Sequence, residues 1–151
     1  LMITKKGPKV IEYNVRFGDP ECQVLMRQYN SDLLQDLYSV SLDSLNNKKI
    51  KIDKDYCVCV VLVSKGYPNK YVKNVEIKNI NLLKKTKDIE IFHSGTKIKN
   101  NKIISDGGRV LSITVKKKDP ILARKKAYKT LEKINWNNGF YRKDIGNKNF
   151  E

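Results

Sequence analysis

The chain has 151 residues, 40% of them hydrophobic, which suffices for one small core or for a small domain with a piece of another. No apolar run approaches the roughly 20 residues of a membrane helix, and no basic n-region or small-residue cleavage site supports secretion. The net charge of +15 invites a nucleic-acid reading, but Arg16, Arg27, Arg109, Arg124 and Arg142 are the only arginines, and lysines scattered through nearly every segment read as solvated surface.

The N-terminal stretch begins at Leu1, not Met, and Gly7-Pro8 suggests the turn of a hairpin. Val10 to Val15 predicts a strand, and so abrupt a start leads to the expectation that preceding sequence is missing. Asp19-Pro20-Glu21 then predicts a helix to about Gln28, with Asp19 as N-cap, Pro20 at the first helical position and Glu21 against the dipole. Asp32 caps a second predicted helix, whose apolar residues Leu33, Leu34, Leu37, Tyr38, Leu42 and Leu45 keep helical spacing until Asn46-Asn47-Lys48-Lys49 breaks it.

Tyr56 to Val63 is β-branched and cysteine-bearing almost throughout, which predicts a strand buried on both faces. Gly66-Tyr67-Pro68 predicts a turn, Val75 to Ile80 a short alternating segment and Ile89 to Phe92 a strand. Thr96 to Lys99 and Lys102 to Ser105 flank Asn100-Asn101 as a hairpin. Asp106-Gly107-Gly108 turns the chain into a strand from Arg109 to Val115. Asp119-Pro120 then caps a helix with Ala123, Ala127, Leu131 and Ile134 on one stripe, and the tail after Trp136 reads as irregular. Cys22, Cys57 and Cys59 match no metal or redox spacing and read as reduced thiols of a cytosolic protein, Cys57 and Cys59 on one strand face.

Chemistry concentrates in residues 12–21. On a strand, Glu12, Asn14 and Arg16 share one face. A carboxylate and an amide oxygen side by side suit a hard cation such as magnesium, and the guanidinium suits a phosphoryl oxygen. The helix after Pro20 aims free N–H groups toward the same end. An ordinary half-exposed strand shows the same alternation, so the pattern leaves a solvated strand as the other reading. His93, the only histidine, reads as a hydrogen-bonded strand end, and Arg109 either as an anchor of its turn or as a phosphate contact.

The run Val10-Ile11-Glu12-Tyr13-Asn14-Val15-Arg16-Phe17-Gly18-Asp19-Pro20-Glu21 resembles a signature of the phosphoribosylamine–glycine ligase family, of the ATP-grasp superfamily. The resemblance continues through Gly66-Tyr67-Pro68, Phe92-His93-Ser94-Gly95-Thr96, Gly107-Gly108-Arg109-Val110-Leu111 and Tyr141-Arg142-Lys143-Asp144-Ile145-Gly146. Family members usually have alanine at Ser94 and glycines near Asn69 and Asn74, so the loop after Pro68 is expected to differ in shape.

The resemblance implies an α+β chain. Residues 1–47 would complete an ATP-grasp domain with strands and two helices. Residues 48–151 would form a small mixed-sheet C-terminal domain with a packed final helix. It implies a cytoplasmic, ATP-dependent ligase of purine biosynthesis that joins glycine to 5-phosphoribosylamine, with the N-terminal and remaining ATP-grasp domains absent here and this part inactive alone. Glu12 and Asn14 would bind Mg2+ or Mn2+ on the ATP phosphates. Arg16 would lie beside the phosphoryl site, Asp19 near the reaction centre, and Glu21 and Arg109 near substrate. No nucleophilic side chain is expected. The rival readings are a basic nucleic-acid-binding module and a non-catalytic structural domain.

Overall fold

The computed structural model describes residues 1–45, 49–83 and 86–147. The chain opens on a small hairpin of β1 (Met2–Thr4) and β2 (Gly7–Lys9). The expected hairpin is present, but it turns at Lys5-Lys6, because the Thr4 hydroxyl donates to the Gly7 carbonyl and accepts from the Lys6 N–H. The strand expected at Val10–Val15 does not form. Residues 10–17 are irregular, with a bend at Val15-Arg16, and exposed, Val15 to 98%. A strand exists only where a neighbour completes its ladder, and no described residue pairs with this stretch.

Helix α1 (Glu21–Gln28) begins one residue later than expected: Pro20, after a cis peptide bond, is its N-cap, and Asp19 makes no capping bond. The Glu21 carboxylate instead accepts from the Gly18 N–H at 2.7 Å and closes the first turn. Helix α2 (Leu33–Ser41) has the expected cap, the Asp32 carboxylate accepting from the Gln35 N–H at 3.0 Å. It ends at Ser41 rather than Leu45, where Asp43 turns left-handed (φ +52°) and the Ser44 N–H and hydroxyl both go to the Ser39 carbonyl. Its burial inverts the expected pattern: Asp36 and Ser39 are buried, while Leu34 is 79% and Leu37 57% exposed. The break expected at Asn46-Asn47-Lys48 and the expected 47/48 boundary lie outside the described residues.

The second half contains β3 (Tyr56–Ser64), a 3₁₀ turn (Ile80–Leu82), β4 (Ile89–His93), β5 (Thr96–Lys99), β6 (Lys102–Ser105), β7 (Arg109–Lys117), α3 (Pro120–Leu131) and β8 (Gly139–Phe140). The main sheet has the order β4-β7-β3-β8. The α+β expectation holds, but every neighbouring pair is antiparallel where a mixed sheet was expected. β3 and β4 do run the same way, and β7 returns between them. The tail is less irregular than expected, since β8 pairs with the end of β3. Val75–Ile80 makes isolated bridges from Glu76 and Lys78 instead of a strand, with Ile77 and Ile80 buried. The β5–β6 turn forms as expected, with Asn100 and Asn101 both left-handed at φ +48° and +58°.

One face of the sheet, with Val58, Val60 and Leu62 opposite Val115, Ile113 and Leu111, receives the Ala123, Ala127 and Leu131 stripe of α3. Asp119 caps that helix as expected. Cys57 and Cys59 share the other face, on which α1 lies against β3 and β7. Burial pushes the Cys57 thiol up to about 11 and raises Cys59 as well, so both stay neutral thiols near neutral pH. At the start of β4, the Asp88 carboxylate pairs with Lys117 at 2.5 Å and Lys126 at 2.9 Å and accepts from the Thr86 hydroxyl at 2.5 Å. Lys117 above all, then Thr86, hold its carboxyl well below the usual carboxylate range.

Two predictions follow from this packing. Leu131→Ala should cost about 2–5 kcal/mol, while Leu34→Ala should stay within about 0.5 kcal/mol in urea denaturation; equal losses would contradict the exposure of α2. Because the Asp88 carboxyl is depressed in the folded chain, its contribution is present above the unfolded pKa of ~3.9 and is lost as pH falls through the folded value. Asp88→Asn should therefore lower stability near neutral pH and flatten its acid decline, read as urea midpoints across an acid pH series.

Candidate functional site

The ends of β3 and β4 and the start of β7 meet at one edge of the sheet, so the turns that follow or precede them share a corner. The Ser64 hydroxyl donates to the Gly107 carbonyl at 2.7 Å, and the Asp106 N–H donates to the Gly95 carbonyl at 2.7 Å. Gly95 lies so close to Gly107 that a Cβ built on it would fall 2.6 Å from the Gly107 Cα and from the Arg109 carbonyl oxygen. The Tyr67 ring covers Gly108, leaving no room for a side chain there. The His93 ring, exposed at the end of β4, hydrogen-bonds through Nδ1 to the Thr96 hydroxyl at 2.9 Å, which is the strand-end role expected of it. Three sequence motifs spread between Gly66 and Arg109 thus become one surface: Gly66-Tyr67-Pro68, His93 to Thr96, and Gly107-Gly108-Arg109.

Arg109 joins this corner to the N-terminal segment. Its Nε lies 3.1 Å from Asp19 Oδ2, and its Nη1 donates to the Asp19 carbonyl at 3.3 Å. Arg109 thus holds a segment 90 residues back along the chain, where an anchor of its own turn was one of the two roles expected for it. The second Asp19 oxygen accepts from the Gln23 amide at 2.9 Å. Asp19 therefore acts as a clamp between α1 and β7, in place of the expected cap.

Glu12 and Asn14 do stand side by side, as their spacing implies, and the Asn14 amide donates to Glu12 Oε1 at 3.1 Å. The chain bends at Val15-Arg16, and the Arg16 guanidinium donates to the Phe17 carbonyl at 3.2 Å. The described residues contain no cluster of three or more carboxylate, histidine or cysteine ligands. The Glu12 carboxylate and the Asn14 amide, exposed and in contact, are groups whose oxygens suit a hard cation that keeps most of its shell as water or phosphate oxygens.

Sequence reasoning did not foresee Ser64, the packing of Tyr67 over Gly108 or the anchoring of the tail. Arg124 donates to the Ile145 and Lys143 carbonyls at 2.9 and 2.8 Å, and the Tyr128 hydroxyl donates to the Arg142 carbonyl at 2.8 Å. The Tyr141–Gly146 motif is thereby strapped onto α3. A signal for Ser64 did exist, in a polar residue closing an apolar strand just before a glycine turn. Asn74 is left-handed at φ +60°, so asparagine here takes a conformation that glycine adopts freely.

Comparison with known proteins places these features in a family. Residues 57–148 match the family model described as phosphoribosylglycinamide synthetase, C domain, and residues 1–22 match that of the ATP-grasp (A) domain of the same synthetase. A phosphoribosylamine–glycine ligase of Agrobacterium fabrum is 47% identical over 97% of this chain, and the human trifunctional purine biosynthetic protein adenosine-3 is 42% identical over 97%. The chain covers 34% of the former and 14% of the latter, so it spans about a third of the length of the ligases it matches. The crystal structure of a phosphoribosylamine–glycine ligase from Thermotoga maritima superposes with a TM-score of 0.73 at 31% identity, covering 95% of this chain and 35% of that one.

The clamp yields a third prediction. A half-exposed ion pair contributes only about 0–1 kcal/mol, so Arg109→Ala should leave the melting temperature nearly unchanged. Amide exchange at residues 18–23 should nonetheless rise several-fold, with Asp19→Asn acting in the same direction and the double variant adding little. Unchanged exchange across residues 18–23 in Arg109→Ala would show that the pair does not hold the segment.

Proposed function

We propose a function from one premise: this chain belongs to the phosphoribosylglycinamide synthetase family. Residues 1–47 complete an ATP-grasp domain and residues 48–151 form the C domain of an ATP-dependent ligase of purine biosynthesis. The ligase acts in the cytoplasm and joins glycine to 5-phosphoribosylamine, giving glycinamide ribonucleotide, ADP and phosphate. The observation that carries this reading is the junction: Asp19, within the ATP-grasp match, is gripped by Arg109, within the C-domain match. The adenine pocket, the glycine and phosphoribosylamine sites and the rest of the ATP-grasp domain come from the segments that make up the other two thirds of its relatives.

Within that site Glu12 and Asn14 would hold Mg2+ or Mn2+, which when bound neutralises charge on the ATP phosphates. Arg16 carries a planar guanidinium able to steady a phosphoryl oxygen in two hydrogen bonds. Asp19 positions the segment through Arg109, and Glu21 shapes its turn through Gly18; both stand beside the substrates. Phosphoryl transfer is chiefly a matter of positioning and charge, which agrees with neutral, packed thiols at Cys57 and Cys59. The nucleic-acid reading rests on net charge alone. Some of that charge is already paired, Lys97 with Asp106, Lys102 with Glu76, Lys116 with Asp53, and Lys117 and Lys126 with Asp88.

A chimera tests this reading: the chain replaces the corresponding third of the Agrobacterium fabrum ligase, and glycine-dependent ADP release is measured. The chimera should turn over while the 151-residue chain alone should not; an inactive but folded chimera would sink the assignment. In the chimera, Glu12→Gln should lower turnover by about tenfold or more, with part restored by high magnesium. Arg16→Lys should lower turnover without changing the magnesium dependence.

A further inference from the structure

A cleft of ≈ 670 Å³ lies between the 3₁₀ turn and the outer face of α3. It sits at the start of β4 and the end of β7, whereas the Asp19–Arg109 corner sits at the opposite end, roughly 27 Å away along the strand. Buried Leu83 and Ile89 form its floor, and Leu82 and Leu122, 74% and 55% exposed, stand at its rim. Two exposed leucines beside an apolar floor give the cleft an apolar surface that a partner could cover.

The charge around the cleft is one-sided. Lys125 and Lys129 stand on successive turns of α3 and Lys133 follows directly after the helix, a row about 12 Å long. Lys117 and Lys126 also line the cleft, but they share the single Asp88 carboxylate. Among the described residues Lys125, Lys129 and Lys133 have no acidic partner in an ion pair. Three cations strung along an apolar trough do not converge on one point, as a single small anion would require. They match a ligand that repeats its charge at the same pitch. An acidic side chain every fourth residue on a helix does so, while its apolar face can lie on the leucines.

We propose that this cleft is a docking site for an acidic amphipathic helix of a partner protein, remote from the ligase site and independent of it. The test uses the full 151-residue chain and three fluorescent probes: a synthetic helical peptide with leucine on one face and glutamate at four-residue spacing, the same peptide with lysine for glutamate, and a single-stranded oligonucleotide. Unlabelled decanoate serves as competitor. The acidic peptide should bind, weaken with added salt, and weaken at least tenfold in the Lys125→Glu/Lys129→Glu/Lys133→Glu chain. Leu122→Asp should weaken it as well. All four positions are surface sites, and a circular dichroism melt checks folding, with the triple glutamine variant, expected to bind several-fold more weakly, as the alternative if the reversed one is unstable. The charge variants also separate this site from the apolar surface of α2, which they leave intact. Equal binding of both peptides, undiminished binding to the charge variants, or tighter binding of the oligonucleotide would overturn the proposal, as would displacement of the peptide by decanoate at micromolar concentration.

Discussion

Strand β7 is the member to which most of this molecule is tied. It pairs with β3 along one edge and β4 along the other, and residues Val110 to Val115 are fully buried, so both backbone edges must be satisfied by neighbours and both faces must be covered. α3 covers one face and α1 the other. Its two ends then become attachment points. Arg109 at the first residue seizes Asp19, while Lys116 and Lys117 at the last turn outward to Asp53 and Asp88. Interior residues of the strand specify the core; its terminal cations fasten the flanking segments to it.

How much of this could be read beforehand depended on range. Features set by adjacent residues were legible: the Asp32 and Asp119 caps, the Asn100-Asn101 turn, the strand at Tyr56 to Val63, buried or half-buried after Tyr56, and the alanine stripe of α3. In each case the cause lies within four residues of the effect. Asp19 failed for the same reason in reverse. Its place before a proline promised a cap, but Arg109, far away in sequence, offers a full positive charge, and the carboxylate goes there. Of the candidate site, the neighbourly relation of Glu12 and Asn14 was visible from their spacing, whereas the strand expected to carry them needs a ladder partner that no local pattern can supply.

The two halves of the chain differ in how they treat apolar surface. Beyond residue 56 the hydrophobic residues close upon one another around Trp136, Leu111 and Leu131. Before residue 45 they largely face outward: Ile3, Val10, Ile11, Tyr13, Val15 and the outer leucines of α2. Water is a poor neighbour for so many large side chains, and this half gains most from burial against further protein. The family match runs the same way, with the C-domain model covering the self-contained half and the ATP-grasp model covering only residues 1–22 of the other.

The Gly95–Gly107 contact carries a consequence for how such a chain can change over generations. Each glycine is held to its size by the other: a methyl on Gly107 would meet the Gly95 Cα at 2.8 Å, and one on Gly95 would meet Gly107 just as closely. Replacing one does not make room for replacing the second, since the second step worsens the collision left by the first. The two positions are therefore bound in a mutual veto, and a lineage can leave the pair only by moving the whole β5–β6 hairpin away from β7. Drift that readily scatters lysines over the surface finds no single-step path through this corner.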